Sequence, residues 1–300
     1  MADFFPVAKP VVAVEWGTSS LRGALLDFQG KVLDERTFAR GILSVAPGEF
    51  PAVFDNCFGD WMQPPGLLCL ISGMAGSRQG WLEAPYCPCP ADFSALARQV
   101  AWIEPRRIAI VPGLSIEKAG IPDVMRGEET QVFGALQTLG LRTARLVLPG
   151  THSKWVRVEK SCITDFSTFM TGEVFALLRQ HSILAKSMPA ADAPFDLQAF
   201  VQGLALARQG KGLLQTAFSV RTLSLFDRLG ANALTSYLSG LLIGEEIQIQ
   251  SLLPGETVLV VGADALSARY AQALEFAGAR AQVVPASVTW TGLWCIAQSL

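Results

Sequence analysis

Three groups of residues in this chain combine types and spacing that suit chemistry. The first is Glu15-Trp16-Gly17-Thr18-Ser19-Ser20-Leu21-Arg22, where the short apolar run Val11 to Val14 ends in an acid and then a polar turn. A tight turn of Gly, Thr and Ser offers backbone N–H groups and hydroxyls to an anion. The acid just before it can hold a hydrated Mg2+. The second group, Pro149-Gly150-Thr151-His152-Ser153-Lys154, also follows a strand-like run. The third is Arg126-Gly127-Glu128-Glu129, an Arg beside two carboxylates at the start of a helical run. A carboxylate there can take a proton from a hydroxyl, and a guanidinium matches a carboxylate in two places. Each group has a plainer reading. The turns are ordinary hairpins, and the acid pair is simply favoured by the helix dipole.

Gly17 and Gly150 stand 133 residues apart, close to half of the 300-residue chain. Both are followed by strand, polar turn and strand, which predicts an internal structural duplication. A third element, Thr257 to Val261, runs into Gly262-Ala263-Asp264. It lacks the second glycine of a dinucleotide fingerprint, and Gly210-Lys211-Gly212 lacks the spacing and hydroxyl of a P-loop. A G-x-S-x-G hydrolase elbow does not occur. What remains is two Gly-Thr hairpins able to grip a polyphosphate from two sides, with the third element able to seat a nucleoside.

Half of the residues are hydrophobic and 17% are charged, enough for a large core in one or two domains. The formal charge of −2 points to neither nucleic acid nor an anionic membrane. Met-Ala-Asp-Phe-Phe-Pro lacks the basic start and apolar run of a signal peptide. Ala281 to Leu300 carries no charged side chain, but its polar interruptions predict a buried strand and a buried helix rather than a membrane span. The six cysteines form no C-x-x-C pair, so reduced thiols in the cytoplasm are expected. Two histidines exclude a His-based metal cluster.

The positioning elements follow from periodicity and punctuation. Strands are expected at 8–14, 21–28 and 31–38. A helix at 50–62 is stopped by Pro64-Pro65-Gly66. The strand 67–72 runs into Gly73-Met74-Ala75-Gly76-Ser77, with Arg78 and Trp81 nearby, and α/β sheets place ligands at such a loop. Residues 86–90 read as irregular, 92–100 as a helix capped by Asp92, 107–112 as a strand, and 128–139 as a helix ended by Gly140. In the second half, strands are expected at 145–148, 155–158 and 162–169, and helices at 171–181 and 195–210. A long helix at 232–252 crosses Gly240 and Gly244, whose small side chains allow close packing. A strand at 257–261, a helix to 278, a strand at 282–284 and a helix at 291–298 complete the chain.

Glu15-Trp16-Gly17-Thr18-Ser19, Pro149 to Lys154 and Val258-Leu259-Val260-Val261-Gly262-Ala263 resemble the two phosphate motifs and the adenosine motif of the sugar kinase, Hsp70 and actin superfamily. Four strings extend the resemblance to the 2-dehydro-3-deoxygalactonokinase family. They are Ser72 to Ser77 with Gly80-Trp81, Met125-Arg126-Gly127-Glu128-Glu129-Thr130-Gln131, Gly150-Thr151-His152-Ser153-Lys154-Trp155-Val156, and Met170-Thr171-Gly172-Glu173. One departure is that the superfamily usually has Asp where this chain has Glu15.

The resemblance implies an α/β fold of two similar ribonuclease H-like (actin-like ATPase) domains, 1–140 and 141–300, with a nucleotide cleft between them. It implies ATP-dependent, Mg2+-assisted phosphorylation of the 6-hydroxyl of 2-dehydro-3-deoxy-galactonate. The alternatives are a kinase for another sugar or sugar acid, or a non-catalytic actin-like nucleotide switch. Gly17, Thr18, Ser19, Gly150 and Thr151 would bind phosphates, Lys154 or Arg22 would add positive charge, and Gly262 and Ala263 would meet the nucleoside. Glu15 would hold Mg2+ through water. Glu128 or Glu129 would be the base. Arg126, Gly76, Ser77 and Arg78 would meet the sugar acid, with Arg126 on its carboxylate. Asp165 is a second acid of interest, whereas His152 and His181 read as packing or hydrogen-bonding residues. The implied partners are a sugar acid and ATP, with no nucleic acid or membrane, and a homodimer is the candidate assembly.

Overall fold

The computed structural model describes residues 10–191 and 193–300. The expected strand start at Ala8 and the leading Met-Ala-Asp-Phe-Phe-Pro lie outside the described residues. The Val-rich run forms β1 (Val11–Trp16), and the Gly-Thr-Ser-Ser turn returns the chain into β2 (Leu21–Leu26) and then β3 (Val32–Phe38). Next come α1 (Phe50–Phe58), β4 (Leu68–Gly73), β5 (Tyr86–Pro88), α2 (Phe93–Ala97), β6 (Ala101–Glu104), β7 (Ile108–Ile110), β8 (Gly113–Lys118), β9 (Ile121–Met125) and α3 (Glu128–Leu139). The second half gives β10 (Ala144–Leu148), β11 (Ser153–Glu159), β12 (Cys162–Phe169), α4 (Thr171–His181), α5 (Leu197–Ala207), α6 (Leu213–Thr216), α7 (Ser219–Leu225), α8 (Ala231–Gln248), β13 (Thr257–Gly262), α9 (Asp264–Phe276), β14 (Arg280–Pro285) and α10 (Val288–Ala297).

Local signals set several of these limits. Asp92 caps α2 by accepting the Ala95 N–H at 2.8 Å, and Asp196 caps α5 through Ala199 at 2.9 Å. Gly140, at φ 64°, ends α3 in the left-handed conformation.

The chain divides into two compact units. One holds the described residues up to Ala144 with Val156–Phe166 and Ala286–Leu300; the other holds Arg145–Trp155 and Ser167–Pro285. A six-stranded sheet runs β3-β2-β1-β4-β7-β6, and a five-stranded sheet runs β12-β11-β10-β13-β14. In both, the first strand of a three-strand run lies beside a later strand that pairs with it in parallel, β1 with β4 and β10 with β13. That shared order is the duplication read from the two Gly-Thr turns.

In the first unit, alternation sends Val12, Val14 and Trp16 into a core with Phe50, Phe54 and Phe58. The opposite face of β1 is met by α10. Segment 286–300, which a linear cut at 140/141 leaves with the second half, therefore packs in the first unit. Helices α10 and α3 cross backbone to backbone. A Cβ on Gly292 would lie 1.9 Å from the Thr130 carbonyl oxygen, and one on Gly134 would lie 1.8 Å from that of Val288. The Thr130 and Thr289 hydroxyls meet there at 2.8 Å. In the second unit, α5 and α8 cross the same way, as the Gly240 reading expects. A Cβ on Gly240 would lie 2.0 Å from the Phe200 carbonyl oxygen.

Three expectations need correction. Strand β14 is largely exposed rather than buried, because it is the edge of its sheet. Residues 86–90 are not wholly irregular: β5 joins the β8–β9 hairpin in a three-stranded sheet whose short strands carry no long apolar run. Helices α6 and α7 occupy a stretch that periodicity left unassigned. Among the described residues, no helix is long and apolar enough to cross a membrane.

Candidate active site

The turn after β1 is built to present amides. The Gly17 carbonyl accepts the Ile42 N–H at 3.0 Å, and the Thr18 carbonyl accepts the Leu43 N–H at 3.3 Å. In a trans peptide the N–H points opposite to the C=O. The Thr18 and Ser19 N–H groups therefore face away from the 41–44 segment, on exposed residues. Gly41 makes this approach feasible, since a Cβ there would lie 2.1 Å from the Thr18 carbonyl oxygen. At the end of β1, the Glu15 carboxylate is ion-paired with Arg22 through Oε2, and its Oε1 lies 3.4 Å from the Gln131 side-chain nitrogen. The Arg22 guanidinium also sits 5.7 Å from the centre of the Trp290 ring.

Strand β4 runs parallel to β1, with Ser72 beside Glu15 and Gly73 beside Trp16. Gly127 precedes α3 at φ 107°, and a Cβ there would lie 3.2 Å from the Gly73 Cα. Only glycine adopts that conformation at such close range. The start of α3 is thereby held against the C-terminal ends of β1 and β4, where α/β sheets bind ligands. Both acids fold back over the helix end. Glu128 accepts the Arg126 N–H at 3.0 Å, and Glu129 accepts the Gly127 N–H with its two oxygens at 2.9 and 2.7 Å. Glu128 is half-buried and Glu129 fully buried. Burial, then the neighbouring Glu128 charge, push the Glu129 carboxyl up to about 8, against the opposing pull of backbone N–H groups and Arg126.

The Arg126 side chain packs among Gly76, Ala84 and Tyr86 of the same unit. Its Nη2 donates to the Ala84 carbonyl at 2.8 Å, and its guanidinium lies 4.3 Å from the centre of the Tyr86 ring. Its Nε and Nη1 are buried with no hydrogen-bond partner among the described residues, as is the Ser77 hydroxyl. A Cβ on Gly76 would lie 2.7 Å from Nη1, so the loop must be glycine there for the guanidinium to fit. Arg78 goes elsewhere: its side chain is 88% exposed and pairs with Glu83 at 3.1 Å. Asp165 pairs with Lys118 at 2.5 Å, apart from the acids at the start of α3.

In the second unit, the Thr151 carbonyl accepts the Glu173 N–H at 3.0 Å, which aims the His152 N–H away from α4. Gly172 packs on this turn, as a Cβ there would lie 2.3 Å from the Gly150 carbonyl oxygen. His152 and Glu173 pair at 2.5 Å on exposed side chains. Lys154 is buried rather than solvated, and its Nζ donates to the Thr168 hydroxyl at 2.9 Å. Gly262 ends β13 and Ala263 caps α9, and a Cβ on Gly262 would lie 3.5 Å from the Pro149 carbonyl oxygen. The predicted nucleoside element and the second Gly-Thr turn are thus neighbours.

Comparison with known proteins fits this arrangement of turns and acids. The family model described as 2-keto-3-deoxy-galactonokinase matches residues 15–296. The chain belongs to that family. A probable 2-dehydro-3-deoxygalactonokinase of Rhizobium meliloti (strain 1021) is 39% identical over 282 residues, covering 91% of this chain and 92% of the relative. The 2-dehydro-3-deoxygalactonokinase of Escherichia coli (strain K12) is 34% identical over 270 residues, covering 89% and 90%. A crystal structure described as a 2-dehydro-3-deoxygalactonokinase protein from Sinorhizobium meliloti superposes with a TM-score of 0.87 at 37% identity, covering 95% of this chain and 96% of that one. The fold is thus the α/β sugar-kinase fold of the actin-like ATPase type.

Within this 2-keto-3-deoxy-galactonokinase-family chain, the first unit contains Glu15, Gly17 to Ser19, Arg22, Gly76, Ser77, Arg126, Glu128 and Glu129. The second contains Gly150, Thr151, Lys154, Gly262 and Ala263. Sequence reasoning missed Tyr86, which supports the Arg126 guanidinium, and Gln131, which faces Glu15. It also missed Glu246, a buried acid on α8. A signal for Glu246 existed: it follows Leu242 and Ile243 at helical spacing, so it shares their buried face.

Proposed function

We propose that this chain transfers the γ-phosphoryl group of ATP to the 6-hydroxyl of 2-dehydro-3-deoxy-D-galactonate, in galactonate breakdown in the cytoplasm. Family membership and the names of its relatives supply the reaction. The observation in the chain itself that carries the reading is the Arg126 guanidinium, buried with two nitrogens unpartnered. A buried charged donor without a partner is costly, and the carboxylate of a sugar acid is the partner that would satisfy it. The Ser77 hydroxyl, also buried without a partner among the described residues, is a second donor for the sugar acid.

The base role falls on Glu128. It is half-buried, whereas Glu129 is fully enclosed and both of its oxygens accept the Gly127 N–H. The 6-hydroxyl oxygen attacks the γ-phosphorus, its proton passes to Glu128, and the bond to the β–γ bridging oxygen breaks to release ADP. The Thr18 and Ser19 amides and Arg22 hold phosphate on the first unit. The Gly150–Thr151 turn holds phosphate on the second, and Lys154 adds positive charge to that unit. Gly262 and Ala263 take the nucleoside.

The residues fit Mg2+ through water rather than directly. One Glu15 oxygen is engaged by Arg22, and no group of three His, Cys, Asp or Glu among the described residues could cage a metal. Mg2+ on a nucleotide keeps several waters and needs few protein ligands. When bound, it would neutralise phosphate charge.

The test is ADP release measured against a panel of 2-keto-3-deoxy sugar acids. Turnover fastest with 2-dehydro-3-deoxy-D-galactonate is expected. Preference for another acid would change the substrate, and tight ATP binding without turnover on any acid would overturn the kinase reading.

A further inference from the structure

Glu246 is 2% exposed in the interior of α8, yet its carboxylate is surrounded by donors. Oε2 accepts the Ser153 hydroxyl at 2.7 Å, the Tyr270 hydroxyl at 2.8 Å and the Thr171 hydroxyl. Oε1 accepts the Trp155 indole N–H at 2.7 Å. Every one of these partners is neutral. Burial raises the Glu246 carboxyl above its ordinary range while the four donors pull it back. A buried acid with so full a set of donors holds those donors in place.

Which donors it holds matters more. Ser153 is the residue immediately after the Gly150-Thr151-His152 turn. Thr171 is the first residue of α4, whose next two residues press on that turn from the other side. Gly172 packs against the Gly150 carbonyl, and the Glu173 N–H donates to the Thr151 carbonyl. Strand alternation puts Ser153 and Trp155 on the Glu246 side of β11 and Lys154 on the other. One carboxylate therefore ties together both chain segments that frame the turn. A pocket beside it is lined by Gly150, Thr171, Gly172, Phe175, Arg269 and Tyr270.

We propose that Glu246 is a positioning residue for nucleotide binding, fixing the Gly150–His152 peptides by holding Ser153 and Thr171 from behind. This rests on the reading of Gly150–Thr151 as a phosphate-binding turn. Glu246 touches no substrate; it acts through the backbone it anchors. A glutamine there keeps the volume but must aim an NH2 group at the donor cluster. The Trp155 N–H cannot accept it, so the three hydroxyls must turn to do so. The tether is then changed without opening a cavity.

The experiment measures ADP affinity by titration calorimetry, which needs neither turnover nor sugar acid, alongside the sugar-acid KM and amide exchange. Glu246→Gln is expected to weaken ADP binding about tenfold or more, leave the sugar-acid KM within about twofold, and speed exchange at 150–153 more than elsewhere. Thr171→Val, which removes one donor from the turn side, is expected to shift ADP affinity in the same direction, and it serves as the test if Glu246→Gln does not fold. Unchanged ADP affinity in both variants overturns the proposal. So does a parallel loss in ADP affinity and sugar-acid KM with uniformly faster exchange, which is what general destabilisation produces. Thr151→Val separates the two levels. If it leaves ADP affinity intact, the phosphate-turn reading falls and this proposal with it. If it weakens ADP while the Glu246 and Thr171 variants do not, only the positioning role falls.

Discussion

Arg22 stands directly opposite Glu15 in the β1–β2 register, and their side chains are paired across the hairpin. The acid that the sequence offers to a metal is thus already holding a cation beside the exposed Thr18 and Ser19 amides. The two charges cancel each other at this end of the hairpin.

If Arg22 meets phosphate, Arg22→Met should raise the ATP KM about tenfold or more, the order expected for one charge-assisted contact. The sugar-acid KM should stay within about twofold. Glu15→Asp shortens the reach by one methylene and should retain Mg2+-dependent turnover within about tenfold. Steady-state kinetics across Mg2+ concentrations checks both. Complete loss in Glu15→Asp would show that the Arg22 pairing, rather than a water-mediated metal contact, is what the enzyme needs from Glu15.

The unpartnered Arg126 nitrogens predict a different kinetic split. Arg126→Lys keeps one charge but loses the planar donors stacked on Tyr86. It should raise the sugar-acid KM by about 10–100-fold, matching roughly 1.5–3 kcal/mol for hydrogen bonds to a charged group, and leave the ATP KM nearly unchanged. Equal effects on both substrates would move Arg126 out of the sugar-acid site.

Much of this candidate site could be proposed from the sequence because its residues are local. Glu15 to Arg22 is a single hairpin, Arg126 to Glu129 a single helix start, and Pro149 to Lys154 a single turn. Spacing along the chain alone places such residues together. What resisted reading depends on distant pairing. Tyr86 lies 40 residues from Arg126 in sequence, and its short strand enters a three-stranded sheet through Gly113. Glu246 is joined to Ser153 across 93 residues. Arg78 turns to solvent and Glu83 instead, since closeness in sequence to the Gly73–Ser77 loop says nothing of which way a side chain leaves it. The return of α10 to the first unit follows from the match of Gly292 to the Thr130 backbone, a fit that composition does not reveal.

That fit yields a prediction about stability. Gly292→Ala would place a methyl 1.9 Å from the Thr130 carbonyl oxygen, so α10 must shift off α3. A loss of about 3 kcal/mol is expected, at the upper end for an overpacked contact. Because α3 carries Glu128 and Glu129, turnover per folded molecule should fall as well. Chemical denaturation beside active-fraction kinetics checks both, and a variant as stable as wild type would mean that the two backbones are not in contact.

The two acids of α3 should separate in rate and in pH. With Glu128 as base, Glu128→Gln should lower the single-turnover rate of phosphoryl transfer by about 10²–10⁴-fold, and Glu129→Gln by much less. If both variants keep near-wild-type rates, neither is the base. Glu129 should instead show itself in stability. Its folded carboxyl sits at about 8, above the ordinary 4.5, so the native state binds this proton more tightly than the unfolded chain does. The contribution is full below about pH 4.5 and is lost as pH rises through about 8. Glutamine cannot titrate. The stability of Glu129→Gln relative to wild type should therefore climb between pH 5 and 8, by up to about 1.4 kcal/mol per pH unit. Taking the difference between two proteins cancels the other carboxylates, whose own pH dependence they share. A difference that stays flat across this range would mean that Glu129 is ionised in the native state at pH 5, and that the Gly127 N–H, rather than burial, governs its charge.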